Sequence, residues 1–217
     1  MTQELFRLED VGFAHDPARP VLAGLEFSLS AGERVAVLGD NGAGKTTLLH
    51  LMVGLLRPQA GRVLAFGAER RREADFHDVR ARAGLLFQDP DDQLFCPTVA
   101  EDVAFGPLNL GAGRTEAQDA VAKALEQVGL PGFGERVTHK LSGGEKRLVT
   151  LAAVLAMRPE VLLLDEPSNA LDRTARERLI DILAGLPQAM VIVSHDDDLV
   201  ERLATRRVVL RGGRIEE

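Results

Sequence analysis

The sequence predicts an α/β domain: a largely parallel β-sheet covered on both faces, an antiparallel flank, and a helical subdomain inserted between two sheet-forming halves. Three observations carry this. Short, continuous apolar runs recur at 34–38, 83–87, 161–164 and 190–194, too uniform for strands wetted on one side. Residues 6–13 and 25–29 alternate apolar with polar side chains instead, as an antiparallel flank would. Between 89 and 159 there are helix signals and loops but no strand pattern. The 217 residues then divide into a core, 1–88 with 160–217, and a helical subdomain, 89–159, within one domain.

Each element has a local reason. The run at 34–38 ends in a Gly-rich turn, and 45–54 follows as a helix. Thr98 with Glu101, and Thr115 with Gln118, both read as capping boxes opening helices. In the second of these helices Ala117, Val121, Ala124, Leu125 and Val128 share a face, and Gly129 sits where a C-terminal cap belongs. A further helix after Leu141 buries Leu148, Leu151, Ala152 and Leu155.

Composition bounds the function. Apolar residues are 45% and charged residues 27%, enough for a sizeable core, and the net charge of -7 gives no support for a nucleic-acid surface. The first residues lack the apolar stretch of a secretory signal. The most apolar segment, 148–157, is about half a membrane span. One cysteine, Cys96, precludes an internal disulfide and reads as a small apolar filler.

The chemistry starts at Gly39, Asp40, Asn41, Gly42, Ala43, Gly44, Lys45 and Thr46, the pattern G-x-x-x-x-G-K-[ST] between an apolar strand and a helix. Glycines let the backbone turn N–H groups inward around phosphate oxygens. Lys45 reaches the β- and γ-phosphates, the Thr46 hydroxyl ligates Mg²⁺, and Thr47 continues the cradle. The run at 161–164 ends in Asp165 and Glu166, at the sheet edge where ligands sit in open α/β folds. Asp165 is placed to hold Mg²⁺ and Glu166 to polarise an attacking water. Leu141, Ser142, Gly143, Gly144 and Glu145 form a second glycine-and-serine helix start, a second anion site in a chain with one P-loop.

These motifs together resemble the ABC transporter ATPases, over essentially the whole chain. Gln88 matches the Q-loop, Leu141–Glu145 the family signature, Ser168–Asp172 the D-loop and His195 the switch histidine. The resemblance implies a P-loop NTPase fold with a RecA-like parallel core, ATP and Mg²⁺ as cofactors, and catalytic roles for Glu166, His195, Lys45 and Gln88. Gln88 joins Thr46 and Asp165 at the metal. It also implies a head-to-tail dimer of identical or paralogous subunits, with Ser142, Gly143 and Gly144 contacting the partner's nucleotide.

Three features depart from the family. Glu145 stands where glutamine is usual. His15, with Phe13 two residues earlier, stands where an aromatic stacks on adenine; it is either that contact or an exposed loop residue. The chain ends where the ABC core ends, so no C-terminal accessory domain is expected.

The stretch from Gln88 to Pro107 is similar to energy-coupling-factor importers, especially the cobalt and nickel group. It implies a peripheral subunit at the cytoplasmic face of the membrane, docking integral membrane subunits near this stretch. Leu94 and Phe95 either form that dock or are buried in the subdomain. A vitamin importer of the biotin type is the alternative cargo reading. A soluble ABC ATPase of DNA repair or translation would carry a long coiled-coil insert or tandem cassettes, which are absent. A degenerate binding module is disfavoured by intact Lys45, Asp165, Glu166 and His195.

Overall fold

The structure is a computed structural model describing residues 3–216. The chain opens with a long hairpin, β1 (Glu4–Asp16) and β2 (Arg19–Ser30), then β3 (Arg34–Leu38) and helix α1 (Lys45–Met52). Strands β4 (Ala60–Ala65) and β5 (Ala68–Arg70) and helix α2 (Glu73–Arg82) lead to β6 (Ala83–Leu86). Three helices follow: α3 (Val99–Asn109), α4 (Arg114–Gln127) and α5 (Gly143–Leu155). Then come β7 (Val161–Asp165), α6 (Arg173–Gly185), β8 (Ala189–Val193), α7 (Asp197–Leu203), β9 (Arg206–Arg211) and β10 (Arg214–Glu216).

Two sheets result. One is antiparallel, in the order β2-β1-β4-β5; the other runs β10-β9-β3-β8-β7-β6. In the second, β6, β7, β8, β3 and β9 are mutually parallel and only β10 is antiparallel. The alternating segments of the hairpin are the antiparallel flank, as expected.

The uniform apolar runs are explained by packing on both faces. Along β7, Val161 and Leu163 point into the core shared with the antiparallel sheet, α1 and α2. Leu162 and Leu164 point into the opposite core, shared with the helices α3–α6. In β8, Val191 and Val193 take the first side, and Met190 and Ile192 the second. A strand with a period of two and both faces dry has no place for a polar residue. At about 1.5–3 kcal/mol for each fully buried large aliphatic side chain, these two strands anchor the domain.

Helix ends follow their sequence signals with two exceptions. Thr98 and Glu101 form the reciprocal box at α3, and Ser142 with Glu145 forms another at α5. Gly129, at φ +68°, closes α4 through bonds from its own N–H to Glu126 and from Leu130 to Leu125. The expected Thr115–Gln118 box is not formed. Gly113, extended at φ -68° and ψ 161°, is the N-cap, and its carbonyl accepts from Ala117 N–H at 2.9 Å. Starting there leaves Thr115 inside the first turn, where a side chain cannot cap. Helix α1 stops at Met52, two residues short of the expected 54, because Gly54 turns at φ +72° against the Phe76 ring, 2.3 Å from where a Cβ would sit.

Leu94 and Phe95 divide: Leu94 is buried in the helical core, whereas Phe95 is 65% exposed and meets Phe105 edge-on at 4.8 Å. The buried Asp102 holds this loop, accepting from Phe95 N–H at 3.0 Å, Cys96 N–H at 2.9 Å and the Thr138 hydroxyl at 3.0 Å. Burial pushes the Cys96 thiol up to about 11, so it stays protonated as a filler would.

Asp102→Ala removes the acceptor of three donors. It is expected to lower unfolding stability by about 2–3 kcal/mol in urea titration. Asp102→Asn, which keeps one acceptor oxygen, is expected to lose less.

Candidate nucleotide site

The C-terminal ends of four parallel strands converge on one cleft of about 640 Å³. After β3 comes the glycine-rich loop, after β6 Gln88, after β7 Glu166, and after β8 His195. Asn41, Gly42, Gly44, Lys45, Thr46, Thr47, Gln88, Asp165, Glu166, His195 and His15 all line it. Gly39, Asp40 and Ala43 face a smaller depression beside β9, with Leu210 and Gly212.

The loop's shape requires glycine at two positions. Gly39, at φ +143°, lies where a Cβ would come 2.4 Å from the Leu210 carbonyl oxygen. Gly44, left-handed at φ +103°, caps α1 and lies where a Cβ would come 2.8 Å from Val21. The start of α1 thus opens its free N–H groups toward the cleft.

Lys45 is 7% exposed, and its ammonium donates to the carbonyls of Gly39 at 2.6 Å and Asp40 at 3.0 Å. It also lies 3.3 Å from His195 Nε2. An ammonium can only donate, so this contact uses the Nε2 lone pair. Glu166 Oε1, 3.5 Å from the same nitrogen, is then a neighbour rather than a hydrogen-bond partner. The firm tie between the two residues is the His195 backbone N–H, which donates to Glu166 Oε2 at 3.1 Å. Glu166 itself adopts φ +44°, a left-handed conformation uncommon for a side-chain-bearing residue, and its N–H is fixed to the Val193 carbonyl at 2.8 Å.

The Thr46 hydroxyl donates to Asp165 Oδ2 at 2.7 Å. Burial raises the Asp165 carboxyl above its ordinary range, against the pull of Thr46, His50, Lys45 and Arg147. His15 is exposed at the rim, with Phe13 beneath it edge-on at 4.8 Å. Ser142, Gly143 and Gly144 do not line the cleft. Ser142 caps α5, and its hydroxyl donates to Glu145 Oε2 at 2.9 Å.

Sequence reasoning missed several residues here. Val21 and Val193 also line the cleft, beside Asn169 of the D-loop stretch. Arg147, 1% exposed on α5, donates to the Phe87 carbonyl at 2.6 Å and to the Gln88 carbonyl. Burial pulls its guanidinium down to about 10, so it stays charged at neutral pH, and its Nε has no hydrogen-bond partner among the described residues. An arginine inside the apolar stripe of Leu148, Leu151 and Leu155 was the available signal.

Asp196, next to His195, caps α7 and accepts from Arg176 Nε at 2.6 Å and from the Ser168 hydroxyl at 2.9 Å. The segments at 168 and 196, each next to a cleft residue, are thereby tied to each other and to α6.

Fold and site define a P-loop nucleotide-triphosphate hydrolase. Residues 22–169 match the family described as ABC transporter. A putative ABC transporter ATP-binding protein of Brucella suis is 57% identical over 97% of this chain and 87% of its own length. The cobalt import ATP-binding protein CbiO of Rhodobacter capsulatus is 47% identical, over 95% of this chain and 75% of its own. An energy-coupling factor transporter ATP-binding protein, EcfA, of Methanothermobacter thermautotrophicus is 43% identical, over 97% and 69%. Among solved structures, cbiO1 of Clostridium perfringens, described as part of the complex cbiONQ, superposes with a TM-score of 0.88 at 32% identity, covering 99% of this chain and 88% of that one. The chain belongs to the ABC transporter ATP-binding family, and it is an ATP-binding and ATP-hydrolysing subunit.

The Arg176 contact holds the Asp196 carboxyl at about 2, below its ordinary value of 3.8. A depressed carboxylate stabilises the fold above its unfolded pKa and loses that contribution as pH falls through the folded one. At most about 2 kcal/mol is therefore expected to disappear between about pH 4 and pH 2. Arg176→Ala is expected to flatten that part of the stability–pH curve in denaturant titrations.

Proposed function

We propose that this chain is the ATPase of an energy-coupling-factor importer for a transition-metal ion, cobalt or nickel. The observation that carries the dimeric mechanism is the separation of the two phosphate-binding elements. Ser142–Gly144 is a complete, capped helix start lying outside the cleft of its own chain. A head-to-tail pair would bring each signature to the other's cleft, in a two-fold arrangement. The relatives named for cobalt import and for energy-coupling factors support the importer reading. The relative named for cobalt import supports cobalt as the cargo.

Within each cleft the roles follow from the contacts. Lys45 exchanges its Gly39 and Asp40 carbonyls for β- and γ-phosphate oxygens. The loop N–H groups and the α1 N-terminus hold the remaining oxygens. Glu166 accepts the proton of the attacking water, and the His195 imidazole borders the γ-phosphate. Gln88, at the end of β6, reports the phosphate to the helical subdomain. His15, backed by Phe13, offers a stacking face to adenine.

Thr46 Oγ1 and Asp165 Oδ2 converge as hard oxygen donors, the pair that Mg²⁺ accepts alongside phosphate oxygens and water. Among the described residues no cluster of three His, Cys, Asp or Glu side chains offers an alternative metal site. Thr46, Asp165 and Gln88 would hold Mg²⁺, which supplies charge neutralisation at the phosphates when bound.

An apolar groove of about 620 Å³ begins beside Gln88, and its lining includes Leu55, Phe87, Phe95, Phe105 and Met157. Phe95 and Phe105 are exposed along it. This is the surface for an integral membrane subunit, which would hold the ATPase at the cytoplasmic face. Among the described residues no helix is long and apolar enough to cross a membrane.

Glu166→Gln is expected to lower phosphate release by about 100-fold or more and to accumulate ATP-dependent dimers in analytical ultracentrifugation. Turnover at the wild-type rate would remove Glu166 from the role of base. Phe105→Asp is expected to abolish co-purification with the membrane subunits while leaving ATP binding by the chain unchanged. Retained co-purification would move the dock elsewhere.

A further inference from the structure

Glu145 changes the chemistry of the signature. A carboxylate only accepts hydrogen bonds, whereas the glutamine usual at this position can also donate. Glu145 Oε2 takes both the Ser142 backbone N–H, at 2.8 Å, and the Ser142 hydroxyl, at 2.9 Å. The donor a partner's phosphate would use is thus committed to a negative group of its own chain. An incoming γ-phosphate must compete with that carboxylate for one proton, and it also meets its charge.

Arg136 answers both difficulties. Its Nη1 donates to the other oxygen, Glu145 Oε1, at 3.1 Å. Its guanidinium carbon lies over the Phe133 ring, 3.8 Å from the centroid, which restricts the long side chain. Its backbone is fixed as well, donating to the Phe133 carbonyl at 2.9 Å and accepting from Val99 N–H at 3.0 Å. The pair is about half exposed at Arg136 and a third at Glu145, so it contributes little to fold stability. Its position, on the carboxylate that holds the signature serine, gives it another use.

We propose that Arg136 is a positioning residue of the signature: it draws the charge of Glu145 so that the Ser142 hydroxyl can turn to the partner subunit's γ-phosphate. The inference rests on the head-to-tail reading above. In a chain with glutamine at 145 there is no carboxylate to quiet, and Arg136 loses this role.

The test is a double-mutant cycle in the Glu166→Gln chain, following dimer formation against ATP concentration by analytical ultracentrifugation. Arg136→Ala is expected to raise the ATP midpoint by about ten-fold, a shift within the ordinary range of coupling between sites. In the Glu145→Gln background the same substitution is expected to move it by less than about two-fold. Arg136→Lys keeps the charge and is expected to fall between. The urea midpoint should stay put in every variant, which separates positioning from folding. An equal effect of Arg136→Ala in both backgrounds, or none in either, would overturn the proposal. Absence of ATP-dependent dimers in the Glu166→Gln parent itself would instead overturn the head-to-tail reading, and this inference with it.

Discussion

The site depends on the burial of the central parallel strands on both faces. β7 and β8 expose no residue along their lengths, so polar chemistry can begin only where they end. Asp165 is the last residue of its strand and Glu166 the first beyond it; His195 follows β8 by two. Because the strands are parallel and in register, their ends lie on one edge. The glycine-rich loop after β3 and Gln88 after β6 reach the same edge. Packing therefore sets the geometry of the cleft, with few residues given to that task alone.

Glu166 leaves its strand through a left-handed turn, a conformation that costs about 1–3 kcal/mol and persists only where neighbours over-determine it. Here the neighbours are identifiable: its N–H is pinned to Val193, and its carboxylate receives the His195 backbone N–H. The acid and the histidine are thus fixed relative to each other by backbone contacts. Arg147 plays the corresponding part between elements. Its buried guanidinium joins the signature helix α5 to the carbonyls of Phe87 and Gln88. A movement of α5 when a partner's nucleotide arrives would pull on the Gln88 segment, which borders the apolar groove proposed above as the dock for a membrane subunit.

Much of this was legible in the sequence because it is local. The four apolar runs mark the central strands within a residue or two, and the glycine-lysine-threonine spacing marks the phosphate cradle. The strands β4, β5, β9 and β10 were not legible. They are short or half-wet, and Arg206, Arg207 and Arg211 interrupt any apolar pattern in β9. Arg147 was hidden for the opposite reason. Its meaning depends on Phe87 and Gln88, sixty and fifty-nine positions away, which helical periodicity cannot show. The Thr115 box failed through competition: Gly113, two residues earlier, was free to take the extended cap conformation, and a helix has only one start.

The donors proposed to meet a nucleotide, in this cleft or a partner's, already have partners within the chain. Lys45 gives its protons to Gly39 and Asp40, Thr46 to Asp165, and Ser142 to Glu145. Binding must break these bonds before it makes new ones. With a net value of about 1 kcal/mol for a typical hydrogen bond, and more where one partner is charged, affinity is a difference between two satisfied states. Such an arrangement keeps Lys45, buried in the cleft, from being left unpaired when the site is open. It also makes closure sensitive to the charge on the ligand. In the head-to-tail pair proposed above, a nucleotide with its γ-phosphate and metal would outbid four internal acceptors, Gly39, Asp40, Asp165 and Glu145, across two subunits, whereas its hydrolysed product would lack the group that reaches the second one. On that proposal, opening after hydrolysis would follow from the return of each donor to its own chain.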